Sequence, residues 1–361
     1  KQQERARALR IGVIGPESGK GAYYGRRILE GVMLAAETFN AGGGIKGEEL
    51  EVVHFDNKGD PELTIEGIEK LIEQRVIAIL AAPTGWSTFS ATHIANGSQT
   101  ILVAIGTRRR IDKSGPYVFR LSLADETATD ELIRFSTEEF GFSEYALITS
   151  SDYDYSLDLS SLFRRAVSRH GGEITVVADT YDTYSGKRDV DGVIETIKSA
   201  RESLDAVIYT GGDAEGALLA QKIKSAGLSL PIIGGEDLYT DNFLKTGGVA
   251  AMGALVYSTF AADSGTPAVE SFVQSYKDGE GKRVPDRFVA LAYDSFMLVA
   301  EAVRRAGSSK TSLVRDALTR IRYKGVTGET RFSADGTPVK NPFIYMAEGN
   351  EGGERFVLIA E

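Results

Sequence analysis

Apolar residues arrive along this chain in two rhythms, short unbroken runs and longer stretches in which they recur every third or fourth position. "LRIGVIG" reads as a buried strand, and residues 22–40 read as a helix in which Ile28, Val32, Ala35 and Phe39 fall at i, i+4, i+7 and i+11 on one face. "LEVVHFD" is the next strand and "PELTIEGIEKLIEQ" the next helix, with Pro61 in the first turn where its missing N–H costs nothing. "VIAILAA", a helix from about Trp86, and "TILVAI" continue the alternation. Strands alternating with helices of this length predict βαβ units and a parallel sheet.

The rhythm restarts near residue 126. A helix over 126–140, the strand "YALITS", a helix from Ser156 to about Arg169, and "EITVVADTY" follow in turn. Then come a helix over 188–202, "DAVIYTGG", a helix over 214–226 and "LPIIGGED". "FVALAYDSFMLVAEAVRRAG" and "TSLVRDALTRIR" read as helical, and turn-rich strand segments lie around "GETRFSADGTP" and "FVLIAE". The architecture repeats although the residues do not, which predicts two α/β lobes of similar build. Nothing rich in Pro, Gly and Ser tethers them, so direct chain crossings are expected, with "YVFRLSLAD", "GALVYSTFAA" and "VTGETRFSADG" as candidates.

Length and composition narrow the function classes. The 361 residues suit about two domains, and 42% hydrophobic with 25% charged residues suits a packed core. A net charge of −10 offers no electrostatic footprint for nucleic acid, so no nucleic-acid partner is expected. No apolar run reaches the ~18–20 residues of a membrane helix. Cysteine is absent, which excludes disulfides, thiolate metal sites and cysteine nucleophiles. Lys1 follows no apolar leader, so the chain reads as processed or trimmed, and a signal peptide or lipid anchor before it is left open.

The loop "IGPESGKGAYYG" poses a choice. A phosphate-binding P-loop needs G-x-x-x-x-G-K-[ST], so that amides wrap phosphates and a hydroxyl reaches magnesium. Here Gly15 and Gly19 stand one residue too close, and Gly21 follows Lys20 where the hydroxyl belongs. A plain strand-to-helix turn, or a loop carrying Tyr23 and Tyr24 to the carboxyl edge of the sheet, are the other readings. "NAGGGIKG" follows a helix, so a C-cap and turn explain it. His54, His93 and His170 are scattered without a motif, neither G-x-S-x-G nor H-E-x-x-H occurs, and the aspartates of "SDYDYSLD" read as loop and cap residues. No metal and no cofactor is expected. Three loops after strands are more informative. "APTGWST" exposes amides and hydroxyls at a strand-to-helix step, "AIGTRRR" adds the Gly106 carbonyl, the Thr107 hydroxyl and three guanidinium groups, and "IIGGEDLY" places Glu236 and Asp237 in the second lobe. Anion donors in one lobe and a carboxylate in the other suit a zwitterion.

The order and spacing of "IGVIGPESGKGAYYGRRILEGVMLAAETFNAGGGIKG", "FDNKGDPELTIEGIEKLIEQ", "LAYDSFMLVAEAVRRAGS" and "GVTGETRFSADGTP" resemble the type I periplasmic solute-binding proteins of ABC transporters, in particular the leucine/isoleucine/valine-binding-like family. The resemblance spans nearly the whole chain. It implies an α/β fold of two Rossmann-like lobes, with parallel-rich sheets flanked by helices and three hinge crossings. The expected lobes are residues 1–121 with 262–328, and 122–261 with 329–361. It also implies a ligand in the interlobe cleft, closure by hinge motion, no chemistry, and an ABC permease in the membrane as partner. Carried over by position, Tyr24 matches the aromatic residue that packs on the ligand. Thr84, Gly85 and Ser87 match the loop that binds the ligand carboxylate, and Gly106 and Thr107 match the carbonyl and hydroxyl near the ammonium and carboxylate. Tyr155 matches the cleft tyrosine of the second lobe, and Glu236 the acid that pairs with the α-ammonium.

Departures from the pattern bear on the ligand. Gly85 and Trp86 stand where the family often has two serines, Asp213 stands where an aromatic residue is common, and Arg108, Arg109 and Arg110 stand where polar uncharged residues are usual. An inward Asp213 would favour a second cation on the ligand and an inward Arg108 a second anion, since an apolar side chain would strand either charge. The expectation is a periplasmic or otherwise extracytoplasmic, non-enzymatic protein that captures a small ligand, an amino acid or small carboxylate, for an importer. The alternatives are a ligand-sensing domain of the same fold and a P-loop-like nucleotide enzyme.

Overall fold

The computed structural model describes residues 9–82, 91–106, 114–153, 155–279, 282–333, 336–350 and 353–361. The chain divides into two compact units, Lys1–Ala124 with Ala262–Lys340, and Asp125–Ala261 with Asn341–Glu361.

In unit 1, β1 (Leu9–Gly15), β2 (Leu50–Asp56), β3 (Ala78–Ala81), β4 (Ile101–Ala104) and β5 (Val118–Arg120) form a parallel sheet of order β2-β1-β3-β4-β5. The inner strands β3 and β4 are buried at every position, which is why they read as unbroken apolar runs. The helix Pro61–Glu73 starts where the Asp60 carboxylate accepts the N–H groups of Glu62 and Leu63 at 2.8 and 2.9 Å. The helix expected from about Trp86 begins outside the described residues, and Thr92–Ser98 is the helix described there. The helix Ala22–Ala41 lies against the helix Arg287–Ala306, whose own cap is the Asp286 carboxylate. A Cβ added at Gly31 would sit 2.3 Å from the Val289 carbonyl oxygen, so only glycine permits this approach.

Unit 2 contains β6 (Glu144–Thr149), β7 (Glu173–Asp179), the short pair β8 (Tyr181–Asp182) and β9 (Lys187–Arg188), then β10 (Ala206–Tyr209), β11 (Ile232–Gly234) and β12 (Leu255–Ser258). The chain then completes unit 1 with β13 (Arg322–Gly325), β14 (Gly328–Phe332) and β15 (Pro338–Val339), a separate antiparallel sheet. It ends in unit 2 with β16 (Phe343–Asn350) and β17 (Gly353–Ala360), giving the order β17-β16-β12-β11-β10-β6-β7. Among the described residues, β16 alone runs against the other strands of that sheet, pairing antiparallel with β12 on one side and β17 on the other. Segment 329–340 therefore clusters with unit 1, and "VTGETRFSADG" is not a crossing. Its strands pair with one another, and Phe332 packs on Phe119 of β5 at 5.1 Å between ring centroids. The helix read over 188–202 is shorter, Val190–Ser199, because the Asp189 side chain caps it.

One buried polar cluster anchors the end of unit 1. The fully buried Asp294 carboxylate accepts the N–H groups of Val326 and Thr327 at 2.9 and 2.8 Å and the Thr327 hydroxyl at 2.5 Å. That same hydroxyl oxygen accepts from Lys340 Nζ at 2.5 Å. Burial pushes the Asp294 carboxyl up and the Lys340 amine down to about 8, while the charge of each opposes the effect of burial on the other. Among the described residues, no helix is long and apolar enough to cross a membrane. Removing the carboxylate with Asp294→Ala leaves two amides unmet and a buried ammonium without its counter-charge, and should destabilise the protein by about 3–5 kcal/mol. Urea unfolding followed by circular dichroism measures it, and a loss under ~1 kcal/mol contradicts this account.

Candidate functional site

Loops at the carboxyl ends of parallel strands collect side chains with few competing backbone duties, so the candidate groups are sought there in each unit.

In unit 1 the loop after β1 closes over Asp56 at the end of β2. Its carboxylate accepts the N–H groups of Glu17, Ser18 and Lys58 at 2.9, 3.3 and 2.9 Å and the Ser18 hydroxyl at 2.5 Å. Burial alone would raise this carboxyl, but these hydrogen bonds outweigh it and hold it below its ordinary 3.8. The amides that a P-loop would offer to phosphate are thus occupied by an ionised carboxylate, which also repels phosphate. This geometry speaks against the nucleotide reading of the glycine loop. What the loop does present is Tyr24, about two-fifths exposed at the start of its helix, with its ring edge-on to Phe288 at 5.0 Å. Its neighbour Tyr23 donates to Asp286 at 2.8 Å and lies under the Arg27 guanidinium. Gly106 follows β4 with φ 69°, a left-handed conformation suited to glycine. Thr84, Gly85, Ser87, Thr107 and Arg108 lie outside the described residues, as do Trp86, Arg109 and Arg110.

In unit 2 the loops after β6, β10 and β11 supply a set of carboxylates. Glu236, half-buried in the turn after β11, accepts the Thr259 N–H at 2.6 Å, the Ser258 hydroxyl at 3.2 Å and the Thr259 hydroxyl at 3.3 Å. The end of β12 therefore fixes its orientation. Beside it, Asp237 accepts the Tyr153 hydroxyl at 2.7 Å, which joins the loops after β6 and β11. Tyr155, half-buried, is the last residue before the helix Ser156–Arg169. Asp213 opens the helix Asp213–Ser225, where it accepts the Ala214 N–H at 2.7 Å and the Thr240 hydroxyl at 2.8 Å. A helix-start acid and a hydroxyl partner account for the charge without a second cation.

Glu215 is the residue that sequence reasoning overlooks. One oxygen accepts the hydroxyls of Tyr209, Ser150 and Thr180 at 2.6, 2.7 and 3.0 Å, and the other accepts from Arg188, which also bonds Asp152 at 2.6 Å. Its partners come from the ends of β6, β7 and β10 and from β9, so one carboxylate ties four segments together. Burial raises the Glu215 carboxyl, but the bonds from Tyr209, Ser150, Arg188 and Thr180 prevail and hold it below 4.5. Tyr209, pushed up by burial and then by Glu215, remains a neutral donor. A Cβ at Gly211 would lie 2.1 Å from the Tyr209 hydroxyl, so "TGG" is built around this network. The available signal was an acid at the third position of a helix, a favoured N-terminal placement.

Two of the three histidines have carboxylate partners. His54 bonds Glu17 at 2.7 Å and His170 bonds Asp130 at 3.1 Å. Among the described residues, no group of three or more His, Asp or Glu side chains could hold a metal ion.

Comparison with known proteins places this geometry among relatives. A family model described as "Periplasmic binding protein" matches residues 8–354. A Leu/Ile/Val-binding protein homologue from Brucella melitensis is 26% identical over 313 residues, covering 84% of this chain and 81% of the relative. The solved structure of a candidate branched-chain amino acid ABC transporter from Rhodospirillum rubrum aligns at TM-score 0.87 and 26% identity, covering 97% of this chain and 100% of the other. A branched-chain amino acid transporter substrate-binding protein from Streptococcus pneumoniae, solved with isoleucine, aligns at TM-score 0.73 and 26% identity, covering 98% and 100%.

The pH dependence of the Glu215 network follows from its sign. A carboxyl held below 4.5 in the fold contributes stability that is complete above 4.5 and is lost as the pH falls through the folded value. Wild type should exceed Glu215→Gln by about 1–3 kcal/mol near neutral pH, and the gap should close in acid. Paired urea titrations across pH check this, and a gap that widens in acid contradicts it.

Proposed function

Because the chain belongs to the periplasmic binding protein family, we propose that it is the solute-binding component of an ABC importer and that its ligand is an amino acid or a close zwitterionic relative. Two relatives whose names or structures concern branched-chain amino acids support this class. The observation that carries the reading is the setting of Glu236. An amide and two hydroxyls orient a carboxylate at the carboxyl end of β11, where it can receive an α-ammonium through a charge-assisted hydrogen bond.

In this reading Tyr24 supplies an apolar face for the ligand, and Tyr155 adds a second aromatic side chain. Thr84, Gly85 and Ser87 receive the ligand carboxylate through amides and hydroxyls, and Gly106 and Thr107 bring a carbonyl and a hydroxyl near the ammonium and carboxylate. Asp213 and Arg108 are the positions that distinguish this chain from the usual pattern. The protein works outside the cytoplasm and delivers its ligand to a membrane permease, and its role is binding without bond making.

The test is a thermal-shift screen of the purified protein against amino acids, the corresponding amine-free carboxylates, and nucleotides. A ligand at a hundred times its dissociation constant adds roughly 2.7 kcal/mol to stability, enough to raise the melting temperature by about 2 °C or more. An amino acid should give the shift. Glu236→Gln, which can still accept the Thr259 N–H, should fold normally and weaken binding roughly tenfold to a hundredfold. Unchanged affinity in that variant removes Glu236 from the ammonium, and a response to nucleotides alone overturns the transport reading.

A further inference from the structure

Unit 1 carries a second feature, along the strand β2. β2 is an outer strand of its sheet. At its first residue the edge is closed, because the Asn40 side chain donates to the Leu50 carbonyl at 3.1 Å and accepts the Leu50 N–H at 3.0 Å. Both of those main-chain groups therefore point away from β1. Alternate residues of a strand share a direction, so the N–H and C=O of Val52 and His54 also point off the sheet, while Asn57 donates inward to Gly15 at 3.2 Å. Among the described residues nothing pairs with the Val52 and His54 main chains.

Beside this open edge runs a groove of about 780 Å³ between β2, the helix Ala22–Ala41 and the end of the helix Pro267–Gly279. Leu29, Val52 and Met33, the last half-exposed, give it an apolar floor. Its charged lining is Glu17, Glu30, Glu37, Glu49 and Glu51 against Arg26. Some of these acids are already compensated: Glu51 pairs with Arg10, Glu30 with Arg27, and Glu17 with His54. Glu37 and Glu49 are exposed and have no cation partner among the described residues.

Unpaired strand edges are ordinarily blunted, because they template the pairing of another chain. Here one end is blunted by Asn40 and the next two outward positions are open, beside an apolar floor with an acidic rim. We propose that the open edge of β2 and this groove receive a short extended segment of a partner protein bearing lysine or arginine, which adds a strand to the unit 1 sheet. Main-chain hydrogen bonds to Val52 and His54 supply the register, and Glu37 and Glu49 supply the preference for basic side chains. A second copy of this chain is a poor occupant, since it would set its own Glu37, Glu49 and Glu51 against the same acids. The amino-acid ligand plays no part in this contact.

The experiment uses the full chain and two synthetic peptides, one alternating Lys with Val and one alternating Glu with Val, titrated by calorimetry and by amide exchange in NMR. The Lys-Val peptide should bind, weaken as salt is raised, and protect the Val52 and His54 amides, and the Glu-Val peptide should not bind. Val52→Pro removes an outward N–H without touching the pairing to β1, and edge strands tolerate proline at such positions. It should weaken the Lys-Val peptide about tenfold, the equivalent of one lost hydrogen bond. Should Val52→Pro fail to fold, the surface double variant Glu37→Lys/Glu49→Lys reads the same contact and should weaken the peptide at least as much. The proposal is overturned if the Lys-Val peptide does not bind, if it protects amides elsewhere, if these variants bind it as wild type does, or if the protein alone dimerises through this edge.

Discussion

The carboxylate of Asp294 is the fixed point on which the division of the chain into two units depends. Unit 1 is made of two separated stretches, and the second must be held where it can complete the core begun by the first. Asp294 does this from the middle of the helix Arg287–Ala306, gripping Val326 and Thr327 on one side and, through the Thr327 hydroxyl, Lys340 on the other. Lys340 is the last residue of unit 1, so the buried cluster also fixes where the chain departs for unit 2. An ionisable pair of this kind is costly to bury, and the amides and hydroxyl around it are what make the arrangement tenable.

The carboxylates of unit 2 obey the same logic with different outcomes. Glu215 is enclosed by three hydroxyls and a guanidinium and serves to bind segments to one another. Glu236 is oriented by an amide and two hydroxyls at the end of β12. Asp56 shows a third case, in which a carboxylate fills a loop that glycines make look like a phosphate cradle. Residue type at the end of a strand does not decide between these roles. The partners do, and most of them are distant in sequence.

That distance also explains what could be read beforehand. The inner parallel strands β3, β4 and β10 are legible because they are buried on two faces and appear as plain apolar runs, and helices such as Pro61–Glu73 carry their caps beside them. The strand β16 is not legible in "FIYMAEGN", since its pairing with β12 and β17, not its pattern, makes it a strand. The third crossing falls at Lys340 and not near residue 328, because a turn-rich antiparallel sheet looks like a passage between bodies when its partners are unknown. Tyr24, Tyr155, Asp213 and Glu236 stand at the strand ends and helix starts that the alternation of elements implies, but Thr240 as the partner of Asp213, and the whole Glu215 network, join segments that only the fold brings together.

The close approach at Gly31 sets an order on the making of the molecule. A helix from the first tenth of the chain presses its backbone against Val289, so the earliest part of unit 1 has no finished surface to rest on until most of the chain exists. Unit 2 waits as well, since β12 stays an open edge until the last hairpin closes on it. Unit 1 lacks part of its chain until Lys340 is made, and unit 2 lacks its last hairpin until later still. The emerging chain spends that time without a complete core in either unit, a state open to chaperones.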